Sequence, residues 1–366
     1  MKMPKTTKGK TTSPLVGVVL SLTTILPAAH ADFVRGTPVN LRTIIPAIDP
    51  VFETPECLSA DELELYVISG RPDFSSFDIW VLKRASKTDP WGPLEKLGPT
   101  VNSRSGFDAG SRISADGLAL YFASDRSGGY GDFDIYMTTR ATKKDPWGQA
   151  VRLGSKINSP AKDVPSWISP DNLELYISSN RPGGYGDEDV YVAKRDKPSD
   201  PWGDPVNLGP VVNTAYPDIP LPINEWVLLI ISDRPGGYGD LDWWISRRAS
   251  VSGPWQTPVN LGPTFNTSGR DGMSSFITLD PPTLWYAEVP SWEYFQAPIL
   301  PVVDFSGDKK VDLVDLVMLI DDWGSNRTLC DIGPMPWGDG KVDIEDLKVF
   351  MTYYEKENPP KANAGK

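Results

Sequence analysis

Ser179-Asn180-Arg181-Pro182-Gly183-Gly184-Tyr185-Gly186-Asp187-Glu188-Asp189-Val190-Tyr191 is the stretch on which the reading of this chain turns. It recurs as SDRSGGYGDFDIY from Ser124 and as SDRPGGYGDLDWW from Ser232, with a worn copy, SGRPDFSSFDIW, from Ser69. Each copy follows one apolar run and precedes another. The marker arginines Arg71, Arg126, Arg181 and Arg234 stand 55, 55 and 53 residues apart. Other landmarks keep step with them. A Leu-x-Leu-Tyr strand ends at Tyr66, Tyr121 and Tyr176, and a Pro-Trp pair recurs at Trp91, Trp147, Trp202 and Trp255. A Leu-Gly-x-x-(Val/Ile/Phe)-Asn segment ends at Asn102, Asn158, Asn213 and Asn266. A sustained period of this length marks a repeat architecture, whose units bury their faces against neighbours.

Each unit reads as four strands. In the second unit they are expected at 108–114, 118–124, 134–140 and 147–153, from alternation and β-branched or aromatic content. Asp-Gly, Gly-Gly and Pro-Trp-Gly mark the turns between them. Four short strands per repeat describe a propeller blade. The last unit, 274–300, offers three strands, around 276–278, 284–287 and 294–296. Pro38-Val39-Asn40-Leu41 matches Pro205-Val206-Asn207-Leu208, the outer strand of a blade, and is expected to supply the missing fourth. That closes the ring without an open edge and predicts an all-β, five-bladed β-propeller over residues 32–302.

These residues resemble the TolB-type, WD-like β-propeller repeat: Ser-x-Asp-Gly, Leu-Tyr-x-x-Ser, Arg-Pro-Gly-Gly and Asp-Ile-Tyr in that order. The resemblance covers about residues 38–300. The family commonly has six blades, so six is the alternative count.

Two sets of repeated charges call for a role. Arg126 with Asp134, Arg181 with Asp189, and Arg234 with Asp242 lie eight apart, and Arg71 with Asp78 seven apart, which predicts an arginine–carboxylate clamp across each hairpin. The glycines supply positive φ in that loop. The Pro-Trp tryptophans are expected between blades; stacking on a sugar is the other reading. Asp108, Asp163, Asp218 and Asp271 stand just before each innermost strand. One reading makes them an acidic ring at the channel mouth, holding a cation, a basic group or sugar hydroxyls. The other makes each a cap for its own turn.

After Pro301 the pattern changes. Asp304, Ser306, Asp308, Asp312 and Asp315 fall at positions 1, 3, 5, 9 and 12 of a loop, with the Lys310 carbonyl at position 7. Calcium is a hard cation that takes six or more oxygens, and this spacing provides them. A helix is expected next, with Leu316, Leu319, Ile320 and Trp323 on one face. A second copy begins at Asp331: Asp339, Lys341 (carbonyl), Asp343 and Asp346 match positions 5, 7, 9 and 12, and Leu347, Phe350, Met351 and Tyr354 repeat the apolar face. Gly333-Pro334-Met335-Pro336-Trp337 replaces one residue of that loop, and Lys309 stands where such a loop prefers Gly.

The pair of loop–helix units, 303–357, resembles a type I dockerin, a small all-α calcium-binding module that docks enzymes onto cohesin-bearing scaffolds. The resemblance implies bound Ca2+, a cohesin-like scaffold or cell-surface partner, and a polysaccharide-degrading setting. Loop positions 10 and 11, which in the family help choose the cohesin, are Leu313-Val314 and Ile344-Glu345, not the usual hydroxyl pair. Residues 358–366 read as a disordered tail.

The whole chain bounds what remains. Its 366 residues include 36 Pro and 32 Gly, and the formal charge is −12, which repels nucleic acid. Residues 1–31 read as a secretory signal: Lys2, Lys5, Lys8 and Lys10, then an apolar run from Pro14 to Leu26, then Ala29-His30-Ala31. No other segment is long enough to span a bilayer. His30 is the only histidine, so its removal with the signal leaves no imidazole for a Ser-His-Asp machine or a His-ligated zinc. Cys57 and Cys330, the only cysteines, read as buried thiols or as one bridge between domains.

The expected function is a secreted, non-catalytic binding protein: the propeller recognises a glycan or protein, and the dockerin-like module tethers it. A glycoside hydrolase using channel carboxylates is the first alternative, with Glu288 and Glu293 as the acids that break the repeat. A structural envelope protein that docks other proteins is the second.

Overall fold

The computed structural model describes residues 33–49, 53–70, 76–104, 106–272, 275–288, 291–325, 328–335 and 338–359. The expected signal at 1–31, Arg71 and the end of the tail, 360–366, lie outside the described residues. Two short strands open the chain, β1 (Phe33–Arg35) and β2 (Val39–Asn40). Blade 1 is β3 (Glu53–Leu58), β4 (Glu64–Ser69), β5 (Asp78–Lys83) and β6 (Glu95–Lys96). Blade 2 is β7 (Asp108–Ile113), β8 (Ala119–Ser124), β9 (Asp134–Thr139) and β10 (Val151–Arg152). Blade 3 is β11 (Asp163–Ile168), β12 (Glu174–Ser179), β13 (Asp189–Lys194) and β14 (Val206–Asn207). Blade 4 is β15 (Asp218–Pro222), β16 (Val227–Ser232), β17 (Asp242–Arg247) and β18 (Val259–Asn260). Blade 5 is β19 (Phe276–Leu279), β20 (Pro282–Glu288) and β21 (Glu293–Pro301), and two helices follow, α1 (Leu313–Asp321) and α2 (Ile344–Glu357). The all-β, five-bladed expectation stands.

Closure follows the expected route and adds to it. β2 lies antiparallel on β21, with Val39 opposite Gln296 and Asn40 opposite Phe295. β1 also pairs with β21, Phe33 to Arg35 running opposite Pro301 to Ile299, a strand the repeat pattern did not contain. The chain's beginning therefore covers the full length of an edge that would otherwise expose unpaired amides.

The second strand of each blade explains its own composition. Leu65, Tyr66 and Val67, like their counterparts Leu120, Tyr121 and Phe122, are fully buried on both faces, between flanking strands and between neighbouring blades. Such strands read as continuous apolar runs rather than alternating ones. Trp147 packs edge-on to Tyr66 of the preceding blade and Trp202 to Tyr121, both at 6.4 Å. Each Pro-Trp ring also carries a guanidinium: Arg84 over Trp91, Arg140 over Trp147, Arg195 over Trp202 and Arg248 over Trp255, at 4.0 to 4.6 Å. The tryptophans thus lie between blades as expected.

The repeated asparagines act as one-residue strands. Asn102 Oδ1 accepts the Ile79 N–H and its Nδ2 donates to the Ile79 carbonyl, pairing the outer side of β5. Asn158, Asn213 and Asn266 do the same to Ile135, Val190 and Trp243.

The Gly-Gly-Tyr-Gly loop is dictated by crowding. Gly183 has φ +94, a left-handed value that only glycine adopts at no steric cost. A Cβ on Gly184 would collide with Asp189 Oδ2, and one on Gly186 with the backbone of the next blade at Thr214. Gly237 and Gly239 repeat these approaches against Asp242 and Gly269. Replacing Gly237 by Ala is expected to destabilise the fold by about 2–4 kcal/mol, from overpacking against a fixed carboxylate. Gly154, which has open space around its Cβ position, should tolerate Ala within about 0.5 kcal/mol. Urea denaturation of both variants checks this, and equal midpoints would count against it.

Candidate functional site

For the four repeated aspartates the structure takes the turn-cap reading, each accepting a backbone amide of its own turn, over the acidic ring. Asp108, Asp163 and Asp218 are fully buried and do not form an open acidic ring. Arg126 Nη2 donates to Asp108 at 2.6 Å, Arg181 Nη2 to Asp163 at 2.6 Å and Arg234 Nη2 to Asp218 at 2.5 Å. The second carboxylate oxygen takes backbone amides: Ser103, Ser159 and Thr214 donate to it at 2.5–2.6 Å. The arginines therefore do not clamp Asp134, Asp189 and Asp242. The register gives the reason: Asp108 lies opposite Ser124, Asp163 opposite Ser179 and Asp218 opposite Ser232, each two residues before the arginine. The hairpin aspartates instead take the loop amides of Tyr130, Tyr185 and Tyr238. Of the Arg71–Asp78 pair only Asp78 is described; it meets Lys96 Nζ at 2.6 Å.

Blades 1 and 5 vary the theme. Glu53 is fully buried at the ring position of blade 1 and accepts Ser69 Oγ at 3.0 Å. It went unread because a glutamate and a worn hairpin hid the match. Asp271 of blade 5 takes the Thr267 amide at 2.6 Å and the Thr267 hydroxyl. Burial pushes its carboxyl above the ordinary aspartate range, and the nearby Arg35 pulls the other way. Arg35 lies 4.9 Å over the Tyr286 ring, as Arg181 lies 4.9 Å over Tyr191.

The C-terminal loops form a paired clasp. Asp304 accepts amides from Gly307 (2.8 Å) and Lys309 (2.7 Å), curling the first loop. Asp315, fully buried, takes the amides of Ser306 and Asp312 and draws the two ends together. The second loop repeats this through its insertion. Asp331 accepts the Asp339 and Gly340 amides, and Asp346 accepts those of Ile332, Gly333 and Asp343. Asp312 and Asp343 cap α1 and α2 in matching capping boxes. Asp308 and Asp339 accept the amides of Lys310 and Lys341.

Among the described residues no three acidic or thiol side chains converge tightly enough to enclose a metal. The donor chemistry nevertheless fits a hard cation. Burial pushes the Asp331 carboxyl up to about 7, and the charge of buried Asp346 adds to the rise, while two amides and Arg247 oppose it. A divalent ion would relieve that pair. One feature resists: Lys309 has φ +70, where Gly340 of the second loop has φ +87.

The helix faces differ from expectation on α1. Leu319 is buried with Asp315, but Ile320 and Trp323 are exposed, at 54% and 47%. The inward Asp315 fixes the rotation of the helix and turns Leu313, Val317 and Ile320 outward together. On α2, Phe350 is buried, and Leu347, Met351 and Tyr354 pack against the same core as expected.

The channel is the other candidate site, and sequence reasoning missed its walls. A cavity of about 400 Å³ is lined from every blade, by Cys57, Arg112, Trp167, Pro222 and Phe276 among others. The inner strands of blades 1 to 3 bulge at this level, between Pro55 and Cys57, Ala109 and Arg112, and Pro165 and Trp167. Buried Glu56 sits on the first bulge and accepts the amides of Gly110 and Ser111 and the Ser111 hydroxyl. Burial pushes its carboxyl above the usual range. Glu288 and Glu293 are elsewhere, paired across the β20–β21 hairpin tip, with Glu288 exposed. Cys57 and Cys330 are buried thiols and do not bridge; burial raises Cys57 to about 12.

No protein-family model and no curated protein matches the chain. Among solved structures it is similar to TolB from Acinetobacter baumannii, at 15% identity and a TM-score of 0.40, over 67% of this chain and 54% of that one. It therefore spans about half the length of that protein. It is also similar to an α-L-arabinofuranosidase from Lactobacillus brevis, at 12% identity and a TM-score of 0.43, over 71% and 94% of the two chains. A family 117 glycoside hydrolase from Zobellia galactanivorans gives 11% identity and a TM-score of 0.38, over 74% and 85%. We carry no residue role across from any of them.

Two outcomes follow from the geometry. Arg181→Met strands the buried Asp163 carboxylate and should destabilise by about 3–5 kcal/mol, the usual cost of breaking a buried pair from one side. Urea denaturation measures it, and a loss below about 1 kcal/mol would show the pair to be dispensable. Lys309→Gly should raise stability by roughly 0.5–1 kcal/mol by relieving the left-handed backbone; a lowered melting temperature would contradict that strain.

Proposed function

We propose that this chain is a secreted, non-catalytic binding protein whose propeller presents a ligand site in its channel. The C-terminal loop–helix pair binds calcium through Asp304, Ser306, Asp308, Lys310, Asp312 and Asp315, and through Asp331, Asp339, Lys341, Asp343 and Asp346. Stiffened in this way, the pair tethers the propeller to a cohesin-like scaffold or cell-surface protein in a polysaccharide-degrading setting.

The observation that carries the reading is the outward stripe of α1. Leu313, Val314, Val317 and Ile320 are each 54% exposed or more, on a helix of nine residues capped by the loop carboxylates. A soluble surface rarely leaves so contiguous an apolar stripe without a partner. An amphipathic helix that docks through such anchors is a recurring recognition mode. The capping carboxylates sit at the ends of the loops, so a cation held there would fix the helix that bears the stripe.

The glycosidase reading loses its strongest acids. Asp108, Asp163 and Asp218 are engaged in buried arginine pairs, and Glu288 faces Glu293 at an exposed hairpin tip. Among the described residues no helix is long and apolar enough to cross a membrane.

Surface plasmon resonance against a panel of cohesin modules, in calcium and in EDTA, tests the tether. Calcium-dependent binding is expected, and Val317→Asp should weaken it at least tenfold while leaving the melting temperature in place. Thermal melts that ignore millimolar calcium would remove the clasp; binding untouched by Val317→Asp would remove the docking face.

A further inference from the structure

We propose that the channel cavity binds a small organic carboxylate with an apolar body, held by Arg112. This deepens the binding reading of the propeller and is independent of the calcium clasp.

Four observations lead there. First, Arg112 breaks the repeat. Its counterparts by register on the other inner strands are Cys57, Trp167 and Leu221, so it serves no blade-wide purpose. Second, it is fixed in place. Its Nε donates to the Ser166 carbonyl at 2.6 Å, and its Nη1 to the carbonyls of Ser111 at 2.7 Å and Glu56 at 3.1 Å. These bonds join the inner strands of blades 1, 2 and 3 and hold the guanidinium without neutralising it. Third, among the described residues no carboxylate lies in ion-pair distance of Arg112, and only its Nε and Nη1 find acceptors. The Glu56 carboxylate is turned to Ser111 and Gly110 and meets the Arg112 charge only through space, without a hydrogen bond. The rim charges Lys87 and Glu62 satisfy each other at 3.0 Å. By contrast Arg126, Arg140, Arg181 and Arg234 each meet a carboxylate. A buried or half-buried guanidinium is ordinarily paired, and its planar fork matches a carboxylate.

Fourth, most of the wall is apolar. Trp167, Ile113, Ile168, Leu221, Ile223 and Phe276 line the cavity with the arginine, while Glu62, Lys87 and Asp280 contribute a charged side. At about 400 Å³ the cavity falls within the ~300–1,000 Å³ of small-molecule sites, where an apolar lining gives affinity and a few polar groups give orientation. An apolar body buries against Leu221, Ile223 and Phe276, where a sugar would have to leave hydroxyls unpaired. The bulges at Glu56, Ser111 and Ser166 are the local device: a bulge takes a residue out of the ladder and re-aims its neighbours.

The test is isothermal titration calorimetry on the full chain with benzoate, phenylacetate and hexanoate, alongside benzamide, phenylacetamide and glucuronate. The apolar acids should bind, with phenylacetamide and glucuronate at least tenfold weaker than phenylacetate. Arg112→Gln should cost phenylacetate at least tenfold and leave phenylacetamide unchanged. Should that variant fail to fold, Arg112→Lys and Ile223→Trp decide: the first should weaken phenylacetate at least threefold, and the second, filling the opposite wall, should abolish binding of every probe. Equal binding of phenylacetate and phenylacetamide would overturn the proposal. So would undiminished binding by folded Arg112→Gln, or silence from all the acids. Capture of a short peptide that requires its free C-terminal carboxylate, with the small acids silent, would also overturn it in favour of a chain terminus. All titrations run in EDTA as well as calcium, so loss of the tether and loss of this site register separately.

Discussion

The propeller depends on the acidic residue that opens the inner strand in blades 1 to 4. Asp163 donates its amide to the Phe133 carbonyl of the preceding blade, accepts Arg181 from its own hairpin and takes the Ser159 amide from the crossover before it. One buried carboxylate thus ties the previous blade, the crossover and the loop to a single point. A buried ion pair is weak as a source of net stability, because desolvation offsets much of the attraction. Its consequence here is geometric. A register slip in blades 2 to 4 would strand the aspartate without its arginine, so the wrong pairing is penalised far more than the right one is rewarded. Four short strands with polar crossovers have few other means of choosing a register.

The ring closes by other means. Blade 5 has no arginine hairpin, and its aspartate, Asp271, has Thr267 as its hydrogen-bond partner. Arg35, at the end of β1 on β21, settles over Tyr286, and its charge reaches Asp271 only weakly, without a bond. Closure rests instead on the hydrogen bonds of β1 and β2 along β21. It also makes the fold depend on its longest-range contacts, which form late because the loop they close is nearly the whole ring.

Much of this was legible in the chain, because a repeat writes its constraints several times over. The period, the strand order, the closing segment at Val39 and the paired loops could each be read from spacing alone. The arginine partner could not. Arg181 is eight residues from Asp189 and eighteen from Asp163, and only the register of Asp163 against Ser179 shows which one the guanidinium reaches. The face of α1 failed in part for a related reason: Leu316 and Leu319 pack inward as expected, while Ile320 and Trp323 do not. Leu316, Leu319, Ile320 and Trp323 satisfy helical spacing, yet so do Leu313, Val317 and Ile320. On a helix apolar on both sides, spacing cannot say which side is inward. The buried Asp315 decides it, through bonds to Ser306 and Asp312 that lie outside the helix.

The channel was illegible for a deeper reason. Reading a repeat means keeping what recurs and setting aside what does not. A ligand, however, sits on the ring's axis and meets all blades at once, so identical walls would offer it five equivalent poses. Selectivity requires the blades to differ there. The inner strands are pinned at one end by the aspartate, or by Glu53 in blade 1, and in the first three blades at the other by the Ser-x-Asp turns of Ser59, Ser114 and Ser169. Between the pins, identity is free to drift, and the bulges put that freedom where it faces the cavity. Glu56, Ser111 and Ser166, followed by Cys57, Arg112 and Trp167, are what a repeat alignment discards as noise. They are also where a ring built for symmetry gains the means to distinguish one molecule from another.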